Sequence, residues 1–383
     1  MSEFFLPQAG SESPLYAKVR DEPRREDWRR WVQELWRCFE PLAPKGFRDR
    51  ARGSAQEPHQ FAQCLAEMWF GVGLADHLGS RVQHGGDGAP DFRIDVGGGA
   101  HCWVEVVAPG PGEGSDRIEP FPESRPGECV TFPYSLEPKL KRVTSQLASK
   151  TTKFAEYRER RVVGPRDLAV IAVSEFAFGE HGALESSQEM LLAALEGMGH
   201  PVVGFGGKPD VTHSSRSEVR KVDSGAAVST QGWRAGLLSG IDAVMYSNAN
   251  LSAASRKSDS SDWCWFAAPS LDRSRFDLLR RALGAFDRLD RRDLGDRLEI
   301  SRVPGEPASS AVRALDGLFS DGKIERVLTV TSLADAPTEV EAWARFDGST
   351  RLKALLDMRE RYARWKDGAE PRLERILAVT RHT

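Results

Sequence analysis

Apolar and polar residues alternate with a period of two on both sides of the glycine run at residues 97–99. The apolar positions are Phe92, Ile94, Val96, Cys102, Val104 and Val106. Such alternation is typical of half-buried strands, and a glycine-rich loop of three residues is a favoured hairpin connection. The pattern predicts a hairpin in which Val96 pairs with Ala100, so that Asp91 lies opposite Glu105.

A second pattern, over residues 136–160, has the three- and four-residue spacing of an amphipathic helix. Its apolar stripe contains Leu136, Leu140, Val143, Leu147, Phe154 and Tyr157. Lys150 interrupts this stripe. A lysine at a core-facing position either has an anionic partner inside the protein or extends its stem across the sheet edge to reach water. The sequence is compatible with both arrangements.

Further periodic segments predict that helices and strands alternate along the chain. We expect helices at 57–78 and 184–198, strands at 167–173, 201–206 and 241–246, and one or two charged helices within 272–300. This order predicts an α/β fold with a mixed central sheet flanked by helices.

Three regions are predicted along the chain: a Trp-rich helical region at 1–52, an α/β core with an extension at 53–255, and an α/β accessory region at 256–383. The stripe of the N-terminal helix is made of Trp28, Trp31, Leu35 and Phe39. It favours docking of this helix on the body of the protein over contact with nucleic acid. A further strand is expected at 325–333.

Composition narrows the class of protein. The chain of 383 residues is 40% hydrophobic and 28% charged, as globular proteins are, and it has no apolar run long enough to cross a membrane. The N-terminus does not resemble a signal peptide, and the five cysteines are scattered, so we expect a cytoplasmic protein with reduced cysteines.

Charge is distributed unevenly. The net charge of −3 argues against a globally basic surface, but residues 137–166 contain nine Lys or Arg and three acidic residues. This local positive excess lies just downstream of the paired carboxylates, where a phosphate backbone could bind. Arg142, Gln146 and Lys153 are the candidates for that contact, with a plain surface location as the alternative.

The predicted pairing of Asp91 with Glu105 places two carboxylates opposite each other, which is destabilising unless a positive charge lies between them. A divalent cation such as Mg²⁺ is the simplest source of that charge, since it is usually held by one or two carboxylates together with substrate phosphates. The alternative is that both carboxylates are solvated on the open face of a surface hairpin.

The order helix, hairpin, helix and strand over residues 57–175, with Ala89-Pro90-Asp91 on the first hairpin strand and Glu105 on the second, resembles the PD-(D/E)xK nuclease superfamily. In that family the Asp and the Glu bind the metal, and a lysine two residues after the Glu positions or activates the attacking water. The resemblance implies a restriction-endonuclease-like core with accessory N- and C-terminal regions, in which Asp91 and Glu105 are catalytic metal ligands.

This chain departs from the family pattern at the lysine, because Val107 occupies its position. Some members of the superfamily supply the lysine from the following helix, so the resemblance implies that Lys150 is the displaced catalytic lysine. Glu67, on the preceding helix, resembles the extra acidic ligand of the family.

The leading hypothesis is therefore a nuclease that uses Mg²⁺ or Mn²⁺ to hydrolyse phosphodiester bonds of DNA, with defence or restriction as an association of the fold class. The first alternative is a catalytically inactive nuclease-like module that binds nucleic acid or a protein partner. An enzyme for a small phosphorylated substrate would need a phosphate cradle at a helix N-terminus, and the sequence shows none. No membrane partner is expected, and a homo-oligomer is left open.

Overall fold

A computed structural model describes the chain. The described residues lie within 3–118, 136–178, 187–204, 210–247, 249 and 263–303. Within these ranges, residues 9–10, 55–56, 58, 113, 216, 221–224, 226, 234, 285 and 294–297 are not described.

Seven α-helices are described in these ranges. They are α1 (Pro14–Asp21), α2 (Glu26–Phe39), α3 (Phe47–Arg52), α4 (Gln60–Leu78), α5 (Leu136–Glu159), α6 (Ser187–Leu195) and α7 (Arg273–Leu283). Short 3₁₀ helices cover Pro23–Arg25, Gly79–Arg81, Gly114–Asp116 and Phe176–Phe178.

Twelve strands are described. They are β1 (Val82–His84), β2 (Phe92–Gly97), β3 (Ala100–Val107), β4 (Leu168–Ser174), β5 (Met198–Gly204), β6 (Asp210–Ser215), β7 (Glu218–Arg220), β8 (Ala227–Ser229), β9 (Ala243–Ser247), β10 (Trp263–Ala267), β11 (Asp287–Asp293) and β12 (Leu298–Val303).

Eight of these strands form one sheet in the order β1-β2-β3-β4-β9-β10-β11-β12. The β3–β4, β4–β9 and β10–β11 pairs are parallel, and the remaining pairs of this sheet are antiparallel. The predicted α/β fold with a mixed central sheet flanked by helices is therefore confirmed. The strand expected at 201–206 corresponds to β5, which belongs to a separate two-stranded sheet with β6.

The predicted hairpin is formed by β2 and β3, and its register agrees with the prediction away from the turn. Phe92 lies opposite Val104 and Ile94 opposite Cys102. The turn itself was predicted wrongly, because Gly97 rather than Val96 is the partner of Ala100 and an irregularity lies between residues 95 and 97. Gly98 and Gly99 both have positive φ, so the chain turns in two residues, as tight hairpins prefer.

Alternate residues of the central strands meet different helices. Val104 and Val106 point into the main core, which contains side chains of α2, α4 and α7. Glu105 points to the other face, where it contacts α5. Leu140, Val143, Leu147 and Phe154 of α5 are at most 2% exposed, which confirms the predicted stripe. The side chain of Glu105 thus lies between the sheet and α5.

One or two charged helices were predicted within 272–300, and the second half of this segment forms strands instead. Among the described residues of this segment, only those of α7 are helical, and β11 and β12 follow it. The spacing of charges in Asp287–Asp293 suits a helix face, but β11 pairs in parallel with β10 and antiparallel with β12, and this tertiary pairing overrides the local preference.

One buried hydrophobic cluster extends from Phe4 to Phe286 and includes Trp28, Trp31, Leu35 and Phe39 of α2. The predicted docking of this helix on the body is thus confirmed, and the cluster crosses the boundaries expected near residues 52 and 255. Apart from Leu136, the described residues belong to one compact unit, 1–120 with 137–322. The strand expected at 325–333 and most of the accessory region at 256–383 lie outside the described residues.

Helix α4 approaches the sheet closely at Gly73, and this contact yields a prediction. A Cβ atom on Gly73 would lie 2.2 Å from the ring of Trp263 in β10. Alanine favours a helix over glycine by about 1 kcal/mol, whereas overpacking a core costs about 1–3 kcal/mol or more. We expect Gly73→Ala to lower the free energy of unfolding by about 1–2 kcal/mol in urea denaturation.

The matched test combines Gly73→Ala with Trp263→Phe, which shortens the ring. The cost of Gly73→Ala should fall in that background, because the overlapping ring atoms are gone. A Gly73→Ala protein that is more stable than the wild type would contradict the close contact.

Candidate metal centre

A cavity of about 550 Å³ lies where the carboxyl end of β3 meets α4 and α5. The sequence-predicted residues that line it are Glu67, Asp91, Glu105, Gln146, Lys150 and Lys153. Val107, two residues after Glu105 on β3, lines it as well. The fold thus brings together on one cavity residues that are up to 86 positions apart, between Glu67 and Lys153.

Two main-chain N–H groups fix Asp91 just before β2, one through its side chain and one through its carbonyl. The Val106 N–H donates to its Oδ2 at 2.7 Å, and its own carbonyl accepts from the Gly85 N–H at 2.8 Å. Residue 85 must be glycine here, because a Cβ atom would lie 1.8 Å from the carbonyl oxygen of Pro90. No described group donates to Oδ1 of Asp91, which leaves that oxygen available to a ligand.

Glu105 is 2% exposed and is bound by three side chains of α5. Lys150 Nζ donates to its Oε1 at 2.7 Å and Lys153 Nζ donates to the same oxygen at 2.6 Å. The Tyr157 hydroxyl lies 3.2 Å from Oε2. Of the two arrangements open for Lys150, the structure shows the internal partner. Lys153, predicted to contact nucleic acid, is bound to Glu105 in this structure.

Glu67 lies in the middle of α4 and is almost fully buried. Its Oε2 pairs with the guanidinium of Arg50 in α3, and Gln63 donates to its Oε1 at 3.4 Å. Gln63 also bonds the main chain of Val106 and Ala108, so it fixes α4 against the end of β3. These contacts turn Glu67 toward Asp91.

His84, at the end of β1, completes a group of three potential ligands. One ligand atom from each of Glu67, His84 and Asp91 lies within 4.8 Å of the others. In octahedral Mg²⁺ coordination neighbouring ligands are about 3.0 Å apart and only opposite ligands are about 4.2 Å apart, so this group would have to contract to hold the cation.

The donor chemistry of the group favours oxygen ligation. The Gly86 N–H donates to His84 Nδ1 at 3.1 Å, so the neutral ring carries its proton on Nε2, which lies 3.9 Å from Glu67 Oε2. Coordination through Nε2 would require that proton to leave and the Gly86 bond to break. Two carboxylates completed by water and substrate oxygens are a usual Mg²⁺ environment, and Glu67 and Asp91 supply them.

Glu105 is not part of this three-residue group. Its Oε1 is already neutralised by two ammonium groups, whereas Asp91 has no described cationic hydrogen-bond partner. Of the three predicted metal ligands, Glu67 and Asp91 are therefore the pair that the geometry brings together. The metal-binding role of Glu105 stays a prediction.

Burial and neighbouring charges shift the pKa values of three groups that surround Glu105. Burial, and then the negative charges of Glu67 and Glu105, raise the pKa of Asp91 well above its usual value. Burial also raises the pKa of Tyr157 to about 12, so its hydroxyl stays protonated as a hydrogen-bond donor. Partial burial opposes protonation of Lys153, but its bonds to Glu105 and Tyr157 raise its pKa, so it stays charged.

Arg142 lies apart from the other predicted contacts. Its guanidinium packs against Gly112, where an added Cβ atom would be 1.8 Å away, and it does not line the cavity. Gln146, one turn further along α5, does line the cavity. The nucleic-acid role of both residues stays a prediction.

Sequence reasoning missed Arg50, Gln63, His84 and Tyr157. Tyr157 could have been found, because it lies two turns after Lys150 on the same stripe. The other three carry no periodic signal that relates them to Asp91, since their proximity arises only when α3, α4 and β1 pack together.

In comparisons with known proteins, the chain matches no family model, no curated protein and no solved structure. Within the described ranges, none of the helices combines the length and apolar character needed to span a bilayer. The function must therefore be argued from the geometry of the site.

The raised pKa of Asp91 predicts how stability depends on pH. Ionisation of Asp91 costs more in the folded chain than in the unfolded chain. The destabilisation is therefore absent below the unfolded pKa of about 3.9, builds up between that value and the folded pKa, and is complete above the folded pKa. We expect Asp91→Asn to stabilise the metal-free protein at pH 7, by about 1.4 kcal/mol for each unit by which the pKa is raised.

This expectation is checked by urea denaturation with a chelator at pH 7 and near pH 3.5, where the two proteins should converge. Glu57→Gln, at another carboxylate that lines the cavity, is the control and should show no comparable gain. A loss of stability for Asp91→Asn at pH 7 would mean that the charge is already compensated.

Proposed function

We propose that this chain is a divalent-metal-dependent nuclease that hydrolyses phosphodiester bonds, with DNA as the substrate. The observation that carries the proposal is the 2.7 Å contact between Lys150 and Glu105, on a cavity that Asp91 and Glu67 also line. Hydrolysis of a phosphodiester needs an activated water and stabilisation of the developing negative charge, and carboxylates that hold a metal together with a lysine can supply both. Free buried cysteines, such as Cys64 and Cys102, support a cytoplasmic location.

In this proposal Asp91 and Glu67 would hold Mg²⁺ or Mn²⁺, which when bound supplies charge neutralisation and a more acidic water. Lys150 would donate to a phosphate oxygen and orient the attacking water. Glu105 keeps the ammonium of Lys150 in the cavity before substrate arrives. Gln146 lies on the same rim and would contact the substrate backbone.

A second candidate function is a nuclease-like module that binds nucleic acid or a protein partner without cleavage. Two observations favour it: Val107 stands where the family has its lysine, and both ammonium groups of the site are bound to Glu105. The two functions share the fold and the basic helix, so measurements of metal binding and cleavage must separate them.

Metal binding is the first testable consequence. We expect calorimetric titration to show Mn²⁺ and Mg²⁺ binding to the wild type, and more than about a hundredfold weaker binding to Asp91→Ala and Glu67→Gln, since even outer-shell partners are worth 10- to 100-fold. Glu57→Gln should bind like the wild type. Equal binding by all four proteins would place the ion elsewhere.

Cleavage is the second consequence, and the chain offers a matched pair of lysines for it. Lys150 and Lys153 bind the same oxygen, but their side chains are 17% and 44% exposed. We expect Lys150→Met to slow plasmid cleavage by about 10²- to 10³-fold, the usual effect of losing one charge-stabilising donor, and to keep metal binding. Lys153→Met should have a much smaller effect.

A larger loss for Lys153→Met than for Lys150→Met would assign the catalytic role to Lys153. If the wild type binds metal and nucleic acid but leaves both DNA and RNA intact, the binding module is the better description. Circular dichroism of each variant checks that the fold is retained.

A further inference from the structure

A second cavity, of about 360 Å³, lies beside the candidate metal centre on the same face of the sheet. Trp103 lines it, two residues before Glu105 on β3, and Arg93 is the cross-strand partner of Trp103. Residues two apart on a strand share a face and have Cα atoms about 7 Å apart. The two cavities are therefore neighbours along β3.

The second cavity is basic. Arg93, Arg161 and Arg166 line it, against the single carboxylate of Asp167. Asp167 accepts hydrogen bonds from the main chain of His101 at 2.9 Å and Gly164 at 2.8 Å, and from Trp103 Nε1 at 3.1 Å. Burial opposes ionisation of Asp167, but these bonds engage both of its carboxylate oxygens and lower its pKa.

The guanidinium groups of Arg161 and Arg166 form no hydrogen bond or ion pair with any described residue. Arg166 reaches toward the hairpin turn, with Nη2 3.8 Å from a Cβ position on Gly99. Arg93 donates to Gln83, and its guanidinium lies 5.9 Å from the centre of the Trp103 ring. The other N–H donors of this guanidinium remain available to a ligand. Three forked donors thus surround one concave surface.

Arg161 also adopts an unfavourable backbone conformation. Its φ is +60°, and it follows the end of α5, where the Val162 N–H bonds the Tyr157 carbonyl at 2.9 Å. Glycine is the preferred residue at such a helix end, because other residues are strained there. The sequence nevertheless places an arginine at this point, and the side chain faces the basic cavity. Strain of this kind often accompanies a binding function.

We infer that this cavity binds a backbone phosphate of the nucleic acid whose neighbouring phosphodiester lies at the metal centre. The inference rests on the proposed function for its substrate class. Arginine pairs with phosphate through two parallel hydrogen bonds, and several arginines on a concave surface select an anion over a neutral ligand. Trp103 is only 7% exposed, so its ring is not available to stack on a base, and the cavity would recognise the charge of the ligand.

The test is fluorescence anisotropy of a labelled oligonucleotide over a series of salt concentrations, with chelator present so that no cleavage occurs. Arg161→Gly removes the charge and suits the positive φ, so its melting temperature should equal or exceed that of the wild type. Arg166→Ala is the second variant. Arg30→Ala is the control, since Arg30 is half-exposed on α2 and pairs with Glu26.

We expect Arg161→Gly and Arg166→Ala each to weaken binding by about tenfold and to reduce the slope of log K against log salt by about one, whereas Arg30→Ala should match the wild type. Unchanged affinity and slope in both cavity variants would overturn the inference. So would saturable binding of inorganic phosphate that is lost in these variants without any change in oligonucleotide binding.

Failure of the proposed function has a different signature. If the wild type neither binds metal nor cleaves, but the arginine variants still lose oligonucleotide affinity, the cavity binds backbone phosphate in a non-catalytic module. If metal binding and cleavage proceed and the arginine variants bind normally, the metal centre stands and the second cavity does not serve it.

Discussion

A carboxylate buried on a central strand must be neutralised by its surroundings, and Glu105 meets this requirement through α5. An unpaired ion there would cost several kcal/mol, so the helix has to present a cation at that level of the sheet. Lys150 does so from a stripe that is otherwise apolar, and Tyr157 binds the second oxygen. Because these contacts join β3 to α5, they also set the width of the cavity between them.

Asp91 and Glu105 are adjacent carboxylates with opposite electrostatic circumstances. Glu105 is neutralised by two ammonium groups, whereas Asp91 meets the negative charges of Glu67 and Glu105 and accepts one main-chain hydrogen bond. A fold selected only for stability would have little reason to keep Asp91 in that position. The unfavourable environment of the Asp91 carboxylate is therefore the strongest argument that this site binds a cationic ligand.

The sequence predicted the parts of the site that depend on short-range patterns. The alternation around residues 97–99 predicted the hairpin register away from the turn. The stripe of α5 singled out Lys150, but it left open whether the ammonium has an internal partner or reaches water. His84 could not be found in this way, because β1 is only three residues long and reaches Asp91 through antiparallel pairing of His84 with Phe92. The strands β11 and β12 were missed for a related reason, since their pairing is decided by β10 rather than by their own charges.

If the chain acts on phosphodiesters as proposed, the two lysines on one carboxylate oxygen affect how a phosphate would bind at the site. With a single lysine, any turn of its ammonium toward a phosphate would leave Glu105 buried and uncompensated. With Lys150 and Lys153 both bound to Oε1, one ammonium can turn to the phosphate while the other keeps Glu105 neutral. In the proposed function, the paired lysines would therefore lower the electrostatic cost of exchanging an internal ion pair for a contact with a phosphate.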